Sequence, residues 1–156
     1  MFNFNKKNNV APAKKFASEL DFASSEAYNL LRTNISFALA GKDSGAKLIG
    51  ISSPCPQEGK SFTSINLAYS LAKDGQKVLL IDGDMRRPSV AGVLSMSRTP
   101  GLSNLLAGGV AEEIIHCNTL HENLDVLLSG DIPPNPSELL GSEKMKRMMG
   151  LMQPSR

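Results

Sequence analysis

Lys47-Leu48-Ile49-Gly50-Ile51-Ser52-Ser53-Pro54-Cys55-Pro56-Gln57-Glu58-Gly59-Lys60-Ser61 is the stretch on which the fold turns. Residues 47–51 form a short, nearly continuous apolar run, the pattern of a strand buried on both faces of a parallel sheet. A loop rich in Pro and Gly follows and ends in Gly59-Lys60-Ser61, where a helix should begin. Strand, glycine-bearing loop and helix in that order make a phosphate cradle. The loop's N–H groups point into one concavity, and the helix N-terminus adds partial positive charge. The match to G-x-x-x-x-G-K-[ST] is imperfect, because Pro54 takes the first glycine position. In this reading Lys60 reaches the β- and γ-phosphates of a nucleotide, most simply ATP, and Ser61 ligates magnesium.

Downstream, Ile65, Ala68, Leu71 and Ala72 define one helix face, which should stop at Lys73-Asp74-Gly75. Residues 77–81 then read as a second buried strand, closing a strand-helix-strand unit. Its C-terminal end carries Asp82-Gly83-Asp84-Met85-Arg86-Arg87-Pro88, where ligands of open parallel sheets bind. One carboxylate of Asp82 and Asp84 can orient hydrated magnesium. The other can take a proton from an attacking hydroxyl, while Arg86 or Arg87 offers charge to phosphate oxygens. Asp and Gly after a strand also make ordinary turns, so the cluster gains meaning from the loop before it.

Upstream, Ala27, Leu30, Leu31, Ile35 and Ala38 recur at helical spacing, with Ser24 or Ser25 as cap and Gly41 as stop. Residues 1–20 mix Asn and Lys with few apolar positions and read as a mobile basic arm preceding a domain over residues 21–156. Toward the C-terminus a short helical turn is expected between Pro100 and Gly109, a third strand over residues 124–128 and a loop over residues 129–136. Met145, Met148, Met149 and Met152 recur at i, i+3, i+4 and i+7, the pattern of a core-facing helix stripe.

Composition narrows the field. The 156 residues, 41% hydrophobic, suit one domain with a real core. With 17 basic and 15 acidic residues the net charge of +2 gives no nucleic-acid or membrane footprint. Cys55 and Cys117 are too far apart to suggest a zinc site or disulfide framework, which fits a reducing cytoplasmic setting. No apolar run is long enough to span a bilayer, and no signal peptide is evident.

The residues also carry a family resemblance. Residues 26–140 resemble the bacterial tyrosine kinases of capsule and exopolysaccharide synthesis, a P-loop fold unrelated to eukaryotic protein kinases. The marks are Ser52-Ser53 with Pro56-Gln57-Glu58-Gly59-Lys60-Ser61 for the family's T-S-x-x-P-G-E-G-K-S, residues 79–88 for its second aspartate motif, and the specific string Ile132-Pro133-Pro134-Asn135-Pro136-Ser137-Glu138-Leu139-Leu140. The resemblance implies an α/β, P-loop NTPase-like parallel sheet flanked by helices. It implies phosphate binding by Gln57, Glu58, Gly59, Lys60, Ser61 and Phe62 with help from Arg86, magnesium at Ser61 and Asp82, and catalytic roles for Lys60, Asp82 and Asp84. ATP and Mg2+ are the implied cofactors. A membrane adaptor that activates the domain is the implied partner, placing the chain at the inner face of the membrane.

Gln57 stands where the family has glycine, so its side chain must crowd the loop or accept a positive φ. The family's subunit-contact motif E-x-x-R-x-x-R appears as Glu26 to Arg32 with Asn29 replacing an arginine; the resemblance implies a homo-oligomer contact through Glu26 and Arg32, weakened by that replacement. The family's third motif, an apolar run ending in aspartate, and its tyrosine-rich tail have no counterpart before Arg156. This reads as a kinase domain incomplete at its C-terminus. Tyr28 and Tyr69 both fall inside expected helices. A different class, the partition and septum-placement ATPase switch, shares the loop and aspartate strand, but its signature lysine is replaced by Cys55. A catalytically inert nucleotide-binding fragment is the third reading.

Overall fold

The computed structural model describes residues 6–7, 20–41, 45–109 and 114–152. Most of the expected basic arm therefore lies outside the described residues. Four strands, β1 (Lys6–Lys7), β2 (Val78–Ile81), β3 (Ile115–His116) and β4 (Leu124–Leu127), lie in the order β1-β3-β4-β2. β2 and β4 run parallel, Val78 opposite Leu124 and Ile81 opposite Leu127. β3 is antiparallel to β4, so the sheet is mixed rather than all parallel. The reason is local: β3 turns back into β4 through a short connection, and Asn118 sits at φ 52 with its amide bonded to Asp125 Oδ1. So short a link permits only antiparallel pairing.

Alternation along β2 and β4 builds a core on each face. Leu80, Leu124, Val126 and Leu128 meet Ile65, Ala68 and Ala72 of α2 (Lys60–Lys73) and Val90 and Ala91 of α3 (Val90–Val93). On the other face Leu127 joins Met85, Ile115 and Cys117. Leu102 and Leu106 come from α4 (Leu102–Ala107) and Met148 from α6 (Glu143–Met152). Sheet residues buried on both faces explain why the strands read as continuous apolar runs. Met145 and Met149 pack beside Met148 as the stripe predicts, whereas the side chain of Met152 lies outside the described residues.

Two expectations fail. Residues 47–51 belong to no strand of the sheet, with Leu48 67% and Ile49 39% exposed. They stand off the free edge of β2 across a cavity of about 690 Å3, lined also by Leu67 and Leu71 of α2 and by Met145 and Met149. Among the described residues no strand flanks them on the far side. A short run containing Gly50 gains few ladder bonds from a single edge against its ordering entropy. The second failure is the face of α1 (Phe22–Leu39), which is capped by Asp21, whose carboxylate accepts from the Ser24 amide at 2.7 Å, rather than by Ser24 or Ser25. Its inner side presents Tyr28, Asn29, Arg32, Ile35 and Leu39, leaving Leu30 and Leu31 exposed. The polar contact wins because Arg32 serves the C-terminal end of α2: Nη1 donates to the Ser70 carbonyl at 3.2 Å, and Nη2 lies 3.6 Å from Asp74. A cation there meets the negative end of the helix dipole, and Ser70 O accepts from it in addition to the Asp74 amide.

Candidate phosphate-binding site

The loop over residues 54–59 is exposed and delivers Gly59 at φ 82 and ψ 13 as the N-cap of α2. That left-handed turn aims the first amides of the helix outward, and glycine takes it without steric cost. No side chain caps this end, and the first turn holds no acidic residue. The positive pole of a fourteen-residue helix is thus left for an external anion. Lys60 extends over the loop, its Nζ 3.4 Å from the Cys55 carbonyl, and the Glu58 carboxylate accepts weakly from the Cys55 amide at 3.4 Å. A phosphate would replace both contacts with charge-assisted ones. Phe62, one turn into α2, is 40% exposed beside the loop.

Gln57 takes φ 64, as a residue in a glycine position must. The left-handed conformation costs an L-residue about 1–2 kcal/mol, only partly offset by the lower unfolded-state entropy relative to glycine. Gln57→Gly should therefore stabilise the chain by about 0.5–1 kcal/mol in denaturant unfolding, while Gln57→Ala should not.

The aspartate cluster arrives from β2. Asp82 falls on the same pleat face as Leu80, toward α2, and is 4% exposed. Its Oδ1 accepts the Asp84 amide at 3.1 Å, whereas Oδ2 is buried with no hydrogen bond. Burial raises its pKa above the usual 3.8 and the neighbouring Asp84 charge adds to this, against the pull of the Asp84 and Val90 amides. An orphaned, desolvated carboxylate oxygen fits a site meant for a hydrated cation. Among the described residues no three His, Cys, Asp or Glu side chains could together hold a metal. A magnesium ion here would draw the rest of its shell from phosphate and water, as it usually does.

Because the folded state holds the Asp82 proton more tightly than the unfolded chain, this group's contribution falls as pH rises from 3.8 through its raised folded value. Above that window the buried charge is a standing cost. Asp82→Asn should raise the melting temperature of the nucleotide-free chain at pH 7, with the gain shrinking as pH is lowered toward 4. A gain of the same size at both pH values would refute the role of the buried charge.

Asp84 is half-buried, and its Oδ1 is engaged by the amides of Arg87 at 2.9 Å and Arg86 at 3.3 Å. This turn fixes the cluster through Oδ1 and leaves Oδ2 outside its hydrogen bonds. Arg86 points away from the loop and donates to Ser137 Oγ at 3.0 Å, at the start of α5 (Pro136–Leu140). Ser89, which directly follows Pro88, donates to Ser61 Oγ at 2.6 Å. Lys60, Ser61, Asp82 and Asp84 thus lie at one end of the sheet, while Arg86 is engaged by the first turn of α5. Glu26 accepts from the Asn29 amide at 3.0 Å, and Arg32 is turned onto α2. Tyr69 is held edge-on to His121, and Tyr28 is half-buried in α1. Sequence reasoning missed Ser89 and the Arg86 partner Ser137. A hydroxyl residue one step past Pro88, in helix-capping position, was the available signal.

Residues 46–150 match the AAA domain family. The chain is 46% identical over 125 residues to tyrosine-protein kinase YwqD of Bacillus subtilis, covering 80% of this chain and 52% of that protein. It is 43% identical over 127 residues to tyrosine-protein kinase CpsD of Streptococcus pneumoniae serotype 4, covering 80% and 53%. The chain spans about half the length of these relatives. Among solved structures, the kinase domain of Escherichia coli tyrosine kinase ETK superposes with TM-score 0.78 at 32% identity, over 93% of this chain and 56% of that one. The chimerical protein CapA2B2 gives 0.77 at 35%, over 95% and 64%. The chain belongs to the AAA domain family, and over most of its length it is similar to bacterial tyrosine-protein kinases.

Proposed function

We propose that the chain carries the nucleotide-binding part of an ATP-dependent protein-tyrosine autokinase regulating capsular or exopolysaccharide synthesis. The uncapped, acid-free N-terminus of α2 behind Gly59, with Lys60 laid over the loop, supports this reading most directly. Lys60 neutralises the terminal phosphates, and Ser61 and Asp82 hold magnesium, which when bound spreads the charge that develops on the transferred group. Asp84, with Oδ2 outside its turn, accepts the proton of a tyrosine hydroxyl. Since Tyr28 and Tyr69 are built into helices, the acceptor tyrosine comes from another segment or subunit. No described helix is long and apolar enough to cross a membrane. In this reading an adaptor at the inner membrane face recruits and activates the domain.

The test is transfer of labelled γ-phosphate from Mg-ATP to tyrosine, with the chain mixed with an adaptor segment and a tyrosine-bearing tail peptide. Phosphotyrosine supports the kinase. Nucleotide binding without transfer favours a second reading, a recognition-only domain, to which the exposure of Leu48 and Ile49 outside the sheet lends weight.

A further inference from the structure

Ser89 occupies the N-cap of α3 yet makes no capping bond; its hydroxyl is spent on Ser61, 28 positions away in sequence. Serine at an N-cap ordinarily bonds the amides of its own helix. The 2.6 Å contact joins the phosphate loop's helix to the segment that follows the aspartates. A serine that ligates a cation gives up a lone pair to it and must direct its proton elsewhere. Ser89 Oγ stands at the right distance to take that proton, since either hydroxyl of the pair can donate to the other.

We propose that Ser89 is a positioning residue of the nucleotide site, orienting the Ser61 hydroxyl so that its lone pair is presented to magnesium. The assignment rests on the reading of Ser61 as a magnesium ligand. Ser89 itself touches neither phosphate nor metal in this scheme. Its hydroxyl is exposed, so replacing it leaves the core intact.

The experiment measures binding of a fluorescent ATP analogue to the full chain while magnesium is titrated, and again in EDTA. Ser89→Ala should raise the magnesium concentration needed for half-maximal enhancement about fivefold, the worth of one neutral hydrogen bond, with EDTA binding unchanged. Ser89→Thr, which keeps the hydroxyl, should restore the wild-type curve. An Ala variant with the wild-type magnesium dependence overturns the role of Ser89, as does an equal loss with and without magnesium. If Ser61→Ala also leaves the magnesium dependence of the wild type untouched, the assignment of Ser61 falls, and the role of Ser89 with it.

Discussion

Lys60→Met is expected to lower the affinity of the chain for Mg-ATP by about ten- to a hundredfold, the cost of losing one charged hydrogen-bonding partner to phosphate. Met keeps the length of the side chain and its helix propensity, so the change removes charge with little else. In the nucleotide-free structure the ammonium makes only a 3.4 Å contact to the Cys55 carbonyl at an exposed loop, so stability should hold. A titration showing lost binding at an unchanged melting temperature would establish Lys60 as a ligand-directed group. Unchanged binding would remove the phosphate loop from the functional assignment. In a phosphotyrosine assay the same variant should be silent, since a nucleotide that is not held cannot be a donor.

The largest expected effect on stability comes from Gly101→Ala. A methyl group there would lie 2.4 Å from both the Gly130 nitrogen and the Leu128 carbonyl oxygen, and 2.8 Å from Gly130 Cα. All three are backbone atoms, so no side-chain rotation relieves the overlap. α4 would have to lift from the end of β4, breaking the bonds from Leu102 N to Leu128 O and from Ser103 N to Ser129 O, both under 3.0 Å. It would also strain the clasp in which Asn104 Nδ2 donates to Asp131 and Ser103 Oγ to the Asp131 carbonyl. A loss of about 3 kcal/mol or more, a fall in melting temperature on the order of 6–12 °C, is expected. Gly92→Ala, with open space around the added carbon, is the matched control and should be near neutral. Because the clasp anchors the 129–136 loop that leads to Ser137, Gly101→Ala should also release Arg86 from its partner.

The stretch from residue 54 to residue 61 was legible because a phosphate loop is local chemistry. Glycine at positive φ, a lysine and a hydroxyl at a helix start are written in consecutive residues, and the helix N-terminus supplies the rest. α2, β2 and β4 were legible for a similar reason, since burial on one face or on both leaves a period in the sequence. The demand for a positive φ at Gln57 was equally local, and the backbone meets it.

What the tertiary structure decided were the contacts between segments distant in the chain. A strand such as residues 47–51 needs neighbours as well as an apolar pattern, and pattern alone cannot say whether those neighbours are in place. The inner face of α1 was set by Arg32 finding the carbonyl end of α2, a preference that hydrophobic periodicity does not register. The site followed the same rule. The sequence nominates its candidate residues one by one, but the orphaned oxygen of Asp82, the turn that occupies Asp84 and the meeting of Ser89 with Ser61 exist only because β2 delivers one segment to the start of α2.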